Sequence, residues 1–129
     1  MQISVKEDDF GYLIPFYLSK SEIKRVFIIK NKESGDIRGN HAHKNDSQVL
    51  VLLNGQCIIE FENSDGVGSS DLQFGIPYFS RPFEWIKIHM LEENTIILVL
   101  SKEEYDEGEY IRDYEEFCDY ISVKKRGVK

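Results

Sequence analysis

The sequence predicts an all-β domain, a sandwich or barrel, closed by one short C-terminal α-helix. Three observations lead there. Short runs rich in Val, Ile, Leu and aromatic residues recur along the chain with turn residues between them. Asn54-Gly55 stands between two such runs, and from Tyr105 onward the apolar spacing becomes helical. The first strand is residues 25–30 (RVFIIK), followed by a turn cluster over 31–36 that contains Gly35. Residues 48–53 and 56–62 read as a β-hairpin, because Asn and Gly both accept the positive φ of a type I′ turn. That turn would pair Leu53 with Gln56, Leu52 with Cys57, Leu50 with Ile59 and Gln48 with Phe61. One face then carries Gln48, Leu50, Leu52, Cys57, Ile59 and Phe61 and is the core candidate; the other carries Val49, Val51, Ile58 and Glu60. Gln48 thereby points inward and needs a partner there. Residues 63–71 (NSDGVGSSD) read as a loop. Residues 72–76, 85–91 and 95–100 read as strands, with Pro77 and Pro82 between them. Tyr110, Tyr114, Phe117 and Ile121 form the packing stripe of the closing helix.

A chain of 129 residues is one domain's worth, and residues 1–129 are read as a single unit with no repeat or linker. With 16 basic against 23 acidic side chains the net charge is −7, the wrong sign for wrapping a nucleic-acid backbone. The basic cluster Lys124, Lys125, Arg126 and Lys129 reads as a solvated tail. No apolar run reaches the roughly 18 residues of a membrane span. The first nine residues are acidic and lack a signal-peptide apolar stretch, so the expected location is the cytoplasm. Cys57 and Cys118, 61 residues apart, then read as free thiols.

The segment that carries chemistry is Arg38-Gly39-Asn40-His41-Ala42-His43. Histidines at i and i+2 on an extended segment send both imidazoles to one face. The spacing continues through four residues to Gln48 and six more to Gly55. It resembles the first signature of the cupin superfamily, a jelly-roll barrel, with Gln48 where a glutamate usually stands. An amide there removes the anionic ligand a divalent cation favours. In the stretch that resembles the second signature, Trp85-Ile86-Lys87 occupies the place of the metal-binding histidine. His89 is off register and reads as a surface or structural residue. No metal is expected. Histidines free of metal, with a reference pKa of about 6.5, are suited to proton transfer at cytoplasmic pH.

The RGxHAH motif, the following Gln48-Val49 stretch running to Gly55 and Cys57, and the C-terminal Tyr105-Asp106-Glu107 and YIRDY (residues 110–114) closely resemble the dTDP-sugar 3,4-ketoisomerases, which are WxcM-like, RmlC-type cupins. The resemblance runs from about Arg25 to Phe117. It implies a metal-independent isomerase, without cofactor, that moves the carbonyl of dTDP-4-keto-6-deoxy-glucose from C4 to C3 through an enediol in deoxysugar and polysaccharide biosynthesis. It implies His43 and His41 as the proton-transfer pair and Arg38, Gln48 and Trp85 as substrate-binding residues. It further implies a homodimer with N-terminal strand exchange, in keeping with the apolar outer face of Val49, Val51 and Ile58. The chain departs from the family where a tyrosine commonly follows Arg-Val (here Phe27 and Ile28) and where a histidine often follows the tryptophan (here Ile86). Those departures favour, as the rival reading, a dTDP-sugar-binding cupin without turnover.

Overall fold

The computed structural model describes residues 2–18 and 22–125. Four short strands open the chain: β1 (Gln2–Ile3), β2 (Lys6–Asp8), β3 (Gly11–Leu13) and β4 (Phe16–Tyr17), with β1 paired to β4 and β2 to β3. The body follows as β5 (Arg25–Lys30), β6 (Asp36–His43), β7 (Gln48–Asn54), β8 (Cys57–Asn63), β9 (Gly66–Leu72), β10 (Tyr78–Phe79), β11 (Trp85–Met90) and β12 (Ile96–Ser101). A single 3-10 turn (Glu107–Glu109), β13 (Tyr110–Ile111) and α1 (Tyr114–Lys125) close it. Two antiparallel sheets form, in the orders β10-β7-β12-β5 and β13-β6-β11-β8-β9. From β5 to β13 the chain changes sheet at nearly every connection, which makes the fold a jelly roll rather than a meander. Among the described residues no helix is long and apolar enough to cross a membrane.

Strand alternation sets the core. Leu50, Leu52, Ile97 and Val99 from one sheet meet Cys57, Ile59, Ile86, Ile88 and Met90 from the other. Burial pushes the Cys57 thiol up to about 12, so it behaves as an inert apolar group. Part of each outer face is covered too. Val49, Val51 and Leu100 lie under Phe16 and Ile23, and Ala42, Trp85 and Ile111 lie under Phe117 and Ile121 of α1. The chain's own N-terminal segment thus covers Val49 and Val51, and these two residues give no reason for a partner.

The inward face of β7 and β8 is the expected one, but the hairpin is not formed. β7 pairs with β12 and β10, whereas β8 pairs with β11 and β9, so Asn54-Gly55 carries the chain from one sheet to the other. Gly55 has φ +87° but Asn54 does not share the positive φ that a type I′ turn requires. Instead the Asn54 amide donates to the Asn94 carbonyl, 3.0 Å away. Gly55 lies so close to Thr95 that a Cβ would come within 2.4 Å of its hydroxyl. Residues 66–72 form an edge strand rather than a loop, turned at Ser64-Asp65 and paired with β8 along its whole length. Its Gly and Ser content hid it, yet Gly68 has a packing reason: a Cβ there would meet the Phe61 ring at 2.7 Å. The strand expected at 72–76 is the end of β9 and a tight turn. Tyr110 belongs to β13 and not to the helix, which starts at Tyr114.

Candidate active site

The RGNHAH segment is β6, and a bulge organises it. Gly39 and Asn40 take φ of +77° and +60°, and the pairing with β11 slips there: Lys87 faces Gly39, yet Ile86 faces His41. Asn40 is the extra residue. Gly39 is required, since its φ is positive and a Cβ would approach the Ile86 carbonyl to 3.0 Å. The consequence is chemical. Arg38 lies opposite Ile88 and His41 opposite Ile86, both inward-facing isoleucines, so the bulge brings Arg38 onto the histidine face although it is three residues away. Ala42, between the histidines, points outward under α1.

His41 and His43 therefore share the inner face, their ring centroids 4.9 Å apart and their planes at 84°. Tyr110, directly across from His43 on β13, closes the group; its ring lies 4.6 Å from His43 and 5.0 Å from His41. His41 and Tyr110 line a cavity of about 430 Å³ between the sheets. Arg38, His41, Gln48, Tyr110 and Arg112 form its polar wall, and Phe27, Leu50 and Val99 its apolar floor. His43 is 4% exposed and lies just behind His41 and Tyr110. Both of its ring nitrogens are buried without a hydrogen-bond partner among the described residues.

Burial, with smaller contributions from the charges of His43 and Arg112, lowers the pKa of His41 to about 4. Burial also lowers His43, against the pull of Asp46 and Glu109. Both imidazoles are thus neutral bases near pH 7. The Gly39 carbonyl, 3.0 Å from His41 Nδ1, can only accept, so the proton of the neutral ring is on Nδ1 and Nε2 carries the lone pair. Unfolded imidazole protonates near 6.5 and folded His41 near 4, so the unfolded state binds more protons in between. His41's contribution to stability is intact above about 6.5 and is lost as pH falls towards 4. An imidazole NMR titration of His41 with a midpoint near 4 is the expected result; a midpoint near 6.5 would contradict the buried geometry.

Gln48 satisfies its inward amide on a carboxylate rather than a histidine: Nε2 donates to Asp46 Oδ2 at 2.9 Å. Trp85 is not brought to the histidines. It alternates with Ile86 and faces outward, donating from Nε1 to Asn40 Oδ1 at 3.2 Å and packing on Tyr114 and Phe117. There it lines a separate cavity of about 600 Å³ with Lys87, Glu60 and Glu62. His89 is on the same outer face, half-buried, its Nε2 3.3 Å from Glu60. Among the described residues no three His, Cys, Asp or Glu side chains gather as a metal-ligand set.

Sequence reasoning left out Tyr110, Arg112, Arg25 and Asp46. Arg112 lies over the Tyr110 ring at 4.4 Å and is held by two hydrogen bonds to Glu107, 2.6 and 3.1 Å. Arg25 Nη2 donates to the Tyr110 hydroxyl at 3.4 Å. The signal for two of them was present, since Tyr110 and Arg112 belong to YIRDY.

The profile of the WxcM-like, C-terminal family (FdtA) matches residues 2–122. A TDP-4-oxo-6-deoxy-α-D-glucose-3,4-oxoisomerase of Aneurinibacillus thermoaerophilus is 34% identical over 119 residues, 89% of this chain and 86% of its own. A 3,4-ketoisomerase from Helicobacter canadensis is 33% identical and superposes with a TM-score of 0.85, covering 93% of each chain. A doubly substituted QdtA 3,4-ketoisomerase from Thermoanaerobacterium thermosaccharolyticum, solved with TDP, is 30% identical with a TM-score of 0.87 over 95% of this chain and 91% of that one.

Proposed function

The chain belongs to the WxcM-like, C-terminal family, and from that premise we propose that it is a sugar-nucleotide 3,4-ketoisomerase acting on dTDP-4-keto-6-deoxy-glucose. The observation that carries this reading is the pair of imidazoles, 4.9 Å apart on one face, with His41 lining a cavity between the sheets. Moving a carbonyl from C4 to C3 requires a base to take the C3 proton and return a proton to C4. His41 and His43 fill that role, one as the base and the other as its partner. A substrate seated on the apolar floor of Phe27, Leu50 and Val99 would displace water, so charge developing on its oxygen meets fixed donors. Arg38, exposed at the mouth on the histidine face, holds the diphosphate through its paired donors. Gln48, anchored on Asp46, orients the sugar ring. Trp85 holds Asn40, and with it the bulge that aims the histidines; we assign it no contact with substrate.

The test is incubation with dTDP-4-keto-6-deoxy-glucose in deuterated water, followed by NMR of the sugar ring. Deuterium entry and appearance of the 3-keto sugar are expected. Binding without C3 exchange would replace the enzyme by a binding module.

We also propose a cytoplasmic homodimer built through the N-terminal strands. Supporting it, β2 and β3 pair only with each other among the described strands and leave Phe10, Tyr12 and Leu13 exposed. A monomer mass in sedimentation would overturn it.

A further inference from the structure

We infer that Tyr110 moves the proton between the two substrate oxygens and that Arg25 is the positioning residue that aims its hydroxyl, an assignment that rests on the ketoisomerase reading. The isomerisation needs two transfers. One proton goes from C3 to C4, which an imidazole can carry. A second must leave O3 and reach O4, and that needs a group able to donate and accept at neighbouring oxygens. A phenol hydroxyl does both.

Tyr110 is the tyrosine that lines the histidine cavity; Phe27, on the opposite wall, offers no hydroxyl. The Tyr110 oxygen receives a hydrogen bond from Arg25 Nη2, and a guanidinium can only donate. The phenol's own proton must point elsewhere, and among the described residues no side chain or carbonyl accepts it. Arg25 is held by ring faces, 4.7 Å from the Phe27 centroid and 5.5 Å from that of Tyr105. Among the described residues no carboxylate pairs with Arg25, and its Nε is buried without a partner. Its charge is therefore available to a phenolate. Arg112, on the ring face of Tyr110, is already bound to Glu107.

The atoms balance as follows. An imidazole takes the C3 proton; the C–H pair becomes the C3–C4 double bond, the carbonyl pair moves to O4, and the Tyr110 proton passes to O4. The phenolate then takes the O3 proton. That O–H pair becomes the C3 carbonyl, and the C3–C4 pair takes a proton at C4 from the imidazolium. Tyrosine and histidine end as they began, and no external oxidant or reductant enters.

The test uses the full chain, the 4-keto substrate in deuterated water, and Tyr110→Phe, Arg25→Gln and Arg25→Lys, with Tyr114→Phe on the outer face as the control. Tyr110→Phe is expected to lower turnover by about 100- to 1000-fold. Deuterium uptake at C3 of recovered substrate should fall less than about tenfold, because the intermediate made by the imidazole still returns. Arg25→Gln should raise the exchange-to-turnover ratio in the same sense with KM within about threefold, and Arg25→Lys should restore part of it. Exchange and turnover falling in parallel, or a Tyr110→Phe variant as active as the parent, would overturn the assignment while leaving the functional reading intact. A parent chain that neither exchanges nor isomerises overturns the functional reading itself.

Discussion

Replacing His43 by Asn is expected to lower turnover by about two to four orders of magnitude while leaving folding nearly untouched. The dissociation of the two effects follows from how the ring is held. His43 is buried behind His41 and Tyr110, yet neither ring nitrogen has a hydrogen-bond partner among the described residues. A dry, unpaired polar atom costs about 1–3 kcal/mol, so an architecture that keeps two of them in one ring has no stability reason to do so. Asn has a polar end that fits near the same place but cannot take up a proton near neutral pH. It removes no hydrogen bond, and what is lost is ring packing against His41 and Tyr110.

His41→Asn is a different experiment. His41 lines the cavity, and its Nδ1 is committed to the Gly39 carbonyl, so the substitution also loosens the bulge. Comparing deuterium entry at C3 in the two variants orders their roles: the histidine whose loss abolishes exchange takes the C3 proton. Turnover surviving near the parent rate in His43→Asn, by NMR of the sugar ring, would remove His43 from the mechanism.

The histidine pair was legible because its evidence is local. Period-two alternation puts i and i+2 on one face whatever the strand's neighbours are. For the same reason the inward set Leu50, Leu52, Cys57 and Ile59 was right although the pairing that suggested it was wrong. Asn54-Gly55 announces a turn, but nothing local says whether the chain returns in its own sheet or crosses to the facing one. Here β12, more than 40 residues away, supplies the partner that β7 takes. Tyr110 was misread by coincidence: its distance from Tyr114, Phe117 and Ile121 fits a helix, while Arg112 and Asp113 intervene as the turn between strand and helix. The facing of Arg38 could not follow from spacing, since three residues on a regular strand reverse the side. The positive φ of Gly39 and Asn40 restores it.

Asp46→Ala is expected to lower folding stability by about 3–5 kcal/mol and the thermal midpoint by about 10–20 °C, measured by chemical and thermal unfolding. Asp46 is 2% exposed, and both carboxylate oxygens are doubly used. Oδ2 accepts from Gln48 Nε2 at 2.9 Å and from the Ser101 hydroxyl at 2.7 Å; Oδ1 accepts from the backbone N–H groups of Lys102 and Glu103 at 3.0 and 3.1 Å. One side chain thereby ties the connection after β6 to the start of β7 and the end of β12, and it anchors the glutamine of the cavity wall. Alanine leaves the buried Gln48 amide and the Glu103 N–H without an acceptor, while the Lys102 N–H keeps the Ser47 carbonyl at 3.1 Å and the Ser101 hydroxyl keeps the Glu103 carbonyl at 2.9 Å. Asp46→Asn is expected to cost much less, about 1–2 kcal/mol. Its remaining oxygen can stay with the two fixed backbone donors, while its new amide faces Gln48, which can turn its carbonyl inward, and Ser101, whose hydroxyl can accept. A backbone donor has no such freedom, and that difference in adjustability is what separates the two variants. If alanine and asparagine cost the same, the carboxylate is not the clasp that the four distances describe.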